Sequence, residues 1–139
     1  MTEPLLDLRG LRTQFTTKRG VIPAVDEVSI RVGKGESVGI VGESGCGKSV
    51  TLLSLLRLIS PPGRIVGGSA RFCGEDLLSL SERGIREIRG RDIAMIFQEP
   101  MTSLNPVYTI GKQVAESLRY HRSGLGAREV REAVTGMFA

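Results

Sequence analysis

The sequence runs to 139 residues, 40% hydrophobic and 24% charged, a soluble globular composition with material for one core. Nineteen basic against fifteen acidic residues leave a net charge of +4, an excess too small and dispersed for a nucleic-acid binder and suited to a protein that handles anionic phosphates or sits near an anionic membrane. Cys46 and Cys73 have neither a disulfide framework nor metal-ligand spacing and read as reduced cytosolic thiols; no signal peptide follows Met1, and no apolar run reaches the roughly 18 residues of a spanning helix.

Leu5 to Phe15 alternates loosely and predicts one strand, bent near Gly10. A polar turn at 16–20 ends in Gly20. Val21 to Val25 and Val28 to Val32 continue as short strands. In the second, Val28, Ile30 and Val32 alternate with Ser29 and Arg31, the mark of a half-buried antiparallel strand. The pattern then changes. Ser37 to Gly42 is a nearly unbroken apolar run that suits a strand buried on both faces, and a glycine-rich loop follows. Leu52, Leu53, Leu55, Leu56 and Ile59 then repeat at helical spacing, up to a stop at Pro61-Pro62-Gly63. Gly67 to Gly74 reads as a turn and short strand, and Leu77 to Arg91 as a polar connection with helical patches. Asp92 to Gln98 reads as a second buried strand, 100–106 as a loop, and Ile110 to Tyr120 and Ala127 to Phe138 as helices.

The chemistry concentrates in Gly42-Glu43-Ser44-Gly45-Cys46-Gly47-Lys48-Ser49, which matches G-x-x-x-x-G-K-[ST] at every fixed position and lies between a predicted strand and an apolar helix, as that motif requires. Glycines let the backbone fold around a phosphate chain without Cβ clashes, so the amides from Gly45 to Val50 are expected to point at its oxygens. The following helix offers the positive end of its dipole to the same anion. Lys48 is expected to reach the β- and γ-phosphates, and the Ser49 hydroxyl to ligate Mg²⁺. The bland alternative is a glycine-rich turn that merely joins strand to helix. Phosphate binding does not by itself choose among GTPases, kinases, motor ATPases and transporters.

Two stretches narrow the class by resemblance. Gly39 to Ser49 resembles the Walker A segment of ABC ATPases, and Ile93 to Pro106, with Phe97-Gln98-Glu99-Pro100 and Ser103-Leu104-Asn105-Pro106, resembles the Q-loop of the peptide and nickel importers of that superfamily. The resemblance covers nearly the whole chain. It implies an α/β fold of the P-loop NTPase, ABC ATPase type, with an N-terminal antiparallel β-subdomain and an incomplete core sheet and helical subdomain. On that reading 1–36 is mainly antiparallel β and 37–60 the Walker A strand, loop and helix. Residues 61–98 lead to the Q-loop strand, and 99–139 hold the Q-loop and the start of the helical subdomain.

The resemblance also implies roles. Gln98 ends a predicted strand where ligands of α/β sheets gather; it is implied to ligate Mg²⁺ or hold a water, with the loop after it facing a transmembrane partner. Phe15 takes the place of the aromatic residue that stacks on adenine, the alternative being a core phenylalanine. Val50 replaces a common Thr or Ser and keeps its amide. The nucleotide contacts expected are therefore Phe15, Gly42, Glu43, Ser44, Gly45, Cys46, Gly47, Lys48, Ser49, Val50 and Gln98, with ATP and Mg²⁺ as cofactors. The implied activity is ATP hydrolysis coupled to import of peptides or a related solute. The implied partners are two transmembrane permease subunits, a second ABC ATPase subunit, identical or homologous, and indirectly a solute-binding protein, with the subunit peripheral on the cytoplasmic face of the plasma membrane. The sequence holds no L-S-G-G-Q signature, no apolar strand ending in Asp-Glu and no switch histidine; His121 comes too early and reads as a surface residue. No catalytic residue is therefore expected in the chain, which reads as an N-terminal part, hydrolytically incompetent and poorly stable alone. The competing readings are a soluble ABC ATPase, another P-loop enzyme such as a small kinase, and an inactive remnant.

Overall fold

The computed structural model describes residues 3–97, 104–122 and 124–138. The chain divides into two compact units, Met1–Ile85 and Arg86–Ala139.

The first unit is built on a four-stranded antiparallel sheet in the order β2-β1-β3-β4, with β1 at Leu6–Thr17, β2 at Gly20–Val32, β3 at Gly63–Phe72 and β4 at Glu75–Asp76. The expected strand from Leu5 to Phe15 and its bend are present: Gly10 takes φ 54°, and the register with both neighbours shifts there. The extra residue lets Leu8 and Leu11 both turn inward, at 2% and 0% exposure. The two short strands expected over 21–32 are one long strand, accommodated by a left-handed Glu27 at φ 51°. Helix α1, Lys48–Leu55, lies against β1 and β2. Its buried Ser54 meets Thr13 of β1 through a 2.7 Å hydroxyl–hydroxyl hydrogen bond, and Ser54 also approaches the Val50 carbonyl at 2.7 Å. Leu8, Leu11, Val25, Leu55, Leu56, Ala70, Leu77 and Ile85 complete the buried core of this unit.

Helix α1 stops before Pro61-Pro62. Arg57 takes φ 52°; its amide donates to the Ser54 carbonyl at 2.9 Å and that of Leu58 to the Leu53 carbonyl at 2.8 Å. This is the Schellman closure, with arginine in the place usual for glycine. The Arg57 guanidinium is anchored on the Leu80 carbonyl at 2.5 Å and on the Glu82 carboxylate, which holds the unusual backbone in place. Helix α2, Glu82–Ile88, spans the division between the units.

Two expected strands are not present as strands. Ser37 to Gly42 carries no strand assignment, and Val38, Ile40 and Val41 are 44%, 40% and 97% exposed. The described part of 92–98 makes a single bridge, Arg89 to Ile93, and leaves Ile96 97% exposed. A buried parallel strand exists only where neighbours accept its amides and carbonyls. Strands β1 to β4 pair with one another, and among the described residues none pairs with either segment.

In the second unit α3, Ile110–His121, packs on α4, Ala127–Gly136, burying Ala115, Leu118 and Val130. Thr109 caps α3 by accepting from the Lys112 amide at 3.3 Å, and Glu129 reaches back to the Gly126 amide at 2.7 Å. No described helix is long and apolar enough to cross a membrane.

Candidate phosphate-binding loop

The loop from Gly42 to Ser49 leads into α1 through two glycines in left-handed conformations, Gly45 at φ 82° and Gly47 at φ 94°. At Gly47 the requirement is double. Its backbone is one that L side chains rarely adopt, and a Cβ there would fall 2.3 Å from the Ala24 carbonyl oxygen of β2. The sheet thus comes up against the start of the helix, with only a glycine fitting between. Thr51, buried one turn on, donates its hydroxyl to the Gly47 carbonyl at 2.9 Å, and its amide donates to the same oxygen at 2.8 Å. Sequence reasoning missed both Thr51 and the Ala24 carbonyl. The signal for Thr51 was a polar residue four positions after Gly47, one helical turn into α1.

Helix α1 has no side-chain N-cap and no acidic residue in its first turn. The amides of Lys48, Ser49 and Val50 therefore have no intrahelical acceptor, and no carboxylate of the first turn lies at the positive end of the dipole. Lys48 folds back over its own loop: Nζ donates to the carbonyls of Gly42 at 2.6 Å and Glu43 at 2.7 Å and lies 3.4 Å from Cys46 Sγ. A Cβ at Gly42 would sit 2.6 Å from that sulfur and 3.8 Å from Lys48 Nζ. The loop is closed on itself around the ammonium group, with Cys46 and Ser49 exposed at its rim.

The other candidates fall outside this cluster of contacts. Phe15 is half-buried; its ring lies against Gly63, where a Cβ would meet Phe15 Cε1 and Ile59 Cγ2, each at 2.6 Å. Gln98 lies outside the described residues, as do Glu99 to Ser103. Among the described residues there is no cluster of three His, Cys, Asp or Glu side chains that could hold a metal ion.

A glycine-hinged loop, an uncapped helix end and a lysine folded over the loop are the parts from which a loop of the P-loop class is built. Comparison with known proteins carries this further: a family model described as ABC transporter matches residues 25–137. The chain belongs to that family. It is 54% identical over 138 residues to a Brucella ovis protein provisionally named a peptide import ATP-binding protein, covering 95% of this chain and 40% of that one. It is 55% identical over 118 residues to a Sinorhizobium fredii protein named a probable peptide ABC transporter ATP-binding protein, covering 84% and 35%. The chain thus spans about two fifths of the length of these relatives. The same fold occurs in a dimeric post-hydrolysis state of the ATP-binding cassette MJ0796 bound to ADP and Pi, at TM-score 0.77 and 22% identity over 94% of this chain and 54% of that one. It also occurs in a dimeric structure of MJ0796 described as a bacterial ABC transporter cassette, at TM-score 0.74 and 23% identity over 91% and 53%. The expected α/β ABC ATPase fold with an antiparallel β-subdomain is therefore the one found, as a partial domain.

Proposed function

We propose that this chain holds the triphosphate of ATP in the loop from Gly42 to Ser49, as the nucleotide-binding part of an ATPase subunit that drives import of peptides or a related solute. The observation that carries the binding step is the position of Lys48 Nζ, 2.6 and 2.7 Å from two carbonyls of its own loop, beside helix amides that lack acceptors. An arriving phosphate oxygen takes the place of those carbonyls on the ammonium group. The free amides of Lys48, Ser49 and Val50 then bind the neighbouring oxygens. The donor set fits an anion closely, since all its members are N–H groups or hydroxyls. Ser49 Oγ and the Gln98 carboxamide oxygen would hold Mg²⁺, which supplies charge neutralisation between the β- and γ-phosphates. Glu43, Ser44, Gly45 and Cys46 would line the loop, and Phe15 would stack on the adenine, adding about 1–3 kcal/mol.

The peptide assignment rests on the names of the two relatives above; membership of the ABC transporter family supports the reading that the complete subunit works with permease subunits, a second ATPase subunit and, indirectly, a solute-binding protein at the cytoplasmic face of the membrane. Hydrolysis belongs to the complete subunit on this reading, because the sequence contains no apolar strand ending in Asp-Glu.

Titration with a fluorescent ATP analogue in magnesium tests the binding step. Lys48→Ala is expected to weaken binding at least tenfold, about 1.4 kcal/mol, with far-UV circular dichroism unchanged. Equal affinity of the variant and the parent chain would overturn the proposal.

A further inference from the structure

Strand β2 links the loop to the hairpin end of the sheet. Its Ala24 carbonyl abuts the α-carbon of Gly47, and Ile22 lies two residues earlier, about 7 Å away at the rise of an extended chain. The register shift between Thr13 and Gln14 makes Ala24 the extra residue of β2. From there to the turn the two strands pair without interruption, and Ile22 stands directly opposite Phe15. Residues so placed share a face, with Cβ atoms about 5 Å apart. That face is the one α1 covers: Phe15 follows Thr13 by two positions in a stretch of β1 that pairs with β3 without a shift, and Thr13 bonds Ser54 of α1. The Phe15 ring is supported from the β3 side, where it and Ile59 fill the space that a Gly63 Cβ would need. On its β2 side stands Ile22, 54% exposed.

We infer that Ile22 is a specificity-determining contact of the nucleotide site, an aliphatic side wall that holds the base on Phe15; this role rests on the reading of the loop and of Phe15 proposed above. Phe15 belongs to β1, whereas the loop meets the sheet at β2, so a nucleotide that reaches from one to the other passes Ile22. A flat base on the Phe15 ring turns one edge toward β2, and an aliphatic group there removes that edge from water. Neither side chain carries a hydrogen-bonding group, so the contact favours a ligand with a base over a bare polyphosphate. The same strand holds a comparison. Val21 is also 54% exposed, but it stands opposite Thr16 on the other face of the sheet, away from α1. Of these two equally exposed aliphatic residues, only Ile22 borders the nucleotide.

Displacement of a fluorescent ATP analogue from the 139-residue chain in magnesium tests this with two competitors, ATP and inorganic tripolyphosphate. Ile22→Thr keeps the β-branch and the strand preference. It is expected to weaken ATP about fivefold and to leave tripolyphosphate within about twofold of the parent. The control Val21→Thr is expected to leave both competitors within about twofold. Equal ATP affinity in Ile22→Thr and the parent, or equal losses in the two threonine variants, would overturn the inference. So would a matching loss of ATP and tripolyphosphate in Ile22→Thr, since the defect would then lie in the loop. Failure of the underlying reading looks different: Lys48→Ala or Phe15→Ala would leave ATP affinity unchanged, and the role of Ile22 would fall with it. If Ile22→Thr does not fold by circular dichroism, Ile22→Val decides. Unchanged ATP affinity then refutes the inference, and a loss above about twofold with tripolyphosphate unaffected supports it.

Discussion

At Gly47 the sequence motif and the three-dimensional reason for it come from different places. The motif asks for glycine because of the loop; the structure adds the Ala24 carbonyl, 23 positions earlier, against the same α-carbon. Gly47→Ala should therefore destabilise the first unit by about 1–3 kcal/mol, from left-handed strain and a forced backbone displacement together. Urea unfolding followed by circular dichroism measures this. The Thr13–Ser54 pair permits a sharper test. Ser54→Ala leaves the buried Thr13 hydroxyl facing an apolar group and should cost about 1–3 kcal/mol, Thr13→Val should cost less because Ser54 keeps its bond to the Val50 carbonyl, and the double variant should cost less than the sum of the two. Cys46 is exposed beside Lys48 Nζ, so its alkylation should slow when MgATP is bound; labelling unaffected by saturating MgATP would remove it from the site. Asp7 supplies a pH dependence. The hydrogen bond from Arg9 holds its carboxyl below the ordinary value of 3.8, with smaller contributions from the charges of Arg9, Arg31 and Arg71, opposed by burial. A carboxylate favoured in the folded state stabilises it fully above pH 3.8 and loses that effect as the pH falls through the lowered value. Asp7→Asn should flatten the acid limb of stability below pH 4 and leave the slope near neutrality unchanged, as acid titration of unfolding will show.

At the scale of elements, legibility followed locality. Strands β1 and β2 were readable because antiparallel neighbours in sequence pair with each other, and alternation marks which side is covered. Helices α3 and α4 were readable from periodicity, and their observed spans, Ile110–His121 and Ala127–Gly136, depart from expectation by one or two residues at the C-terminal ends. Helix α1 was harder. Its end depends on the Arg57 guanidinium finding Leu80 and Glu82, more than twenty residues away, and the proline signal at 61–62 was only the nearest visible stop. The two apolar runs, 37–42 and 92–98, misled for another reason. Composition reports that a segment is able to be a buried strand, whereas pairing decides whether it is one, and pairing is a property of the neighbours. Hydrogen exchange should separate these cases: amides of Leu8 and Leu11 in β1 should be protected, while those of Val38 to Val41 should exchange at nearly the unstructured rate.

Taken whole, the chain places little apolar surface in two separate cores and leaves much outside them. Val41 and Ile96 are 97% exposed and Val107 82%, far beyond the scattered apolar residues of an ordinary surface. Units of this size bury a small fraction of their surface and are marginal by themselves. The 139-residue chain should accordingly melt broadly in calorimetry, with light scattering that rises with protein concentration. A single sharp, concentration-independent transition would contradict this account. The conformation of the loop was the most legible part of the molecule, since eight consecutive residues specify it and Gly47 answers to a backbone need. Gln98 and Phe15 are different, because their roles depend on strands and ligands that no local spacing encodes.

The closed Lys48 latch has a consequence for selectivity. Because the ammonium group already rests on the Gly42 and Glu43 carbonyls, a lone anion such as chloride gains only an exchange of one neighbour for another. A polyphosphate gains the same exchange and, through its further oxygens, every amide at the helix mouth. On the proposed function the loop would rank its visitors by how many oxygens they present at once, and would be guarded against simple anions before any base or sugar is inspected.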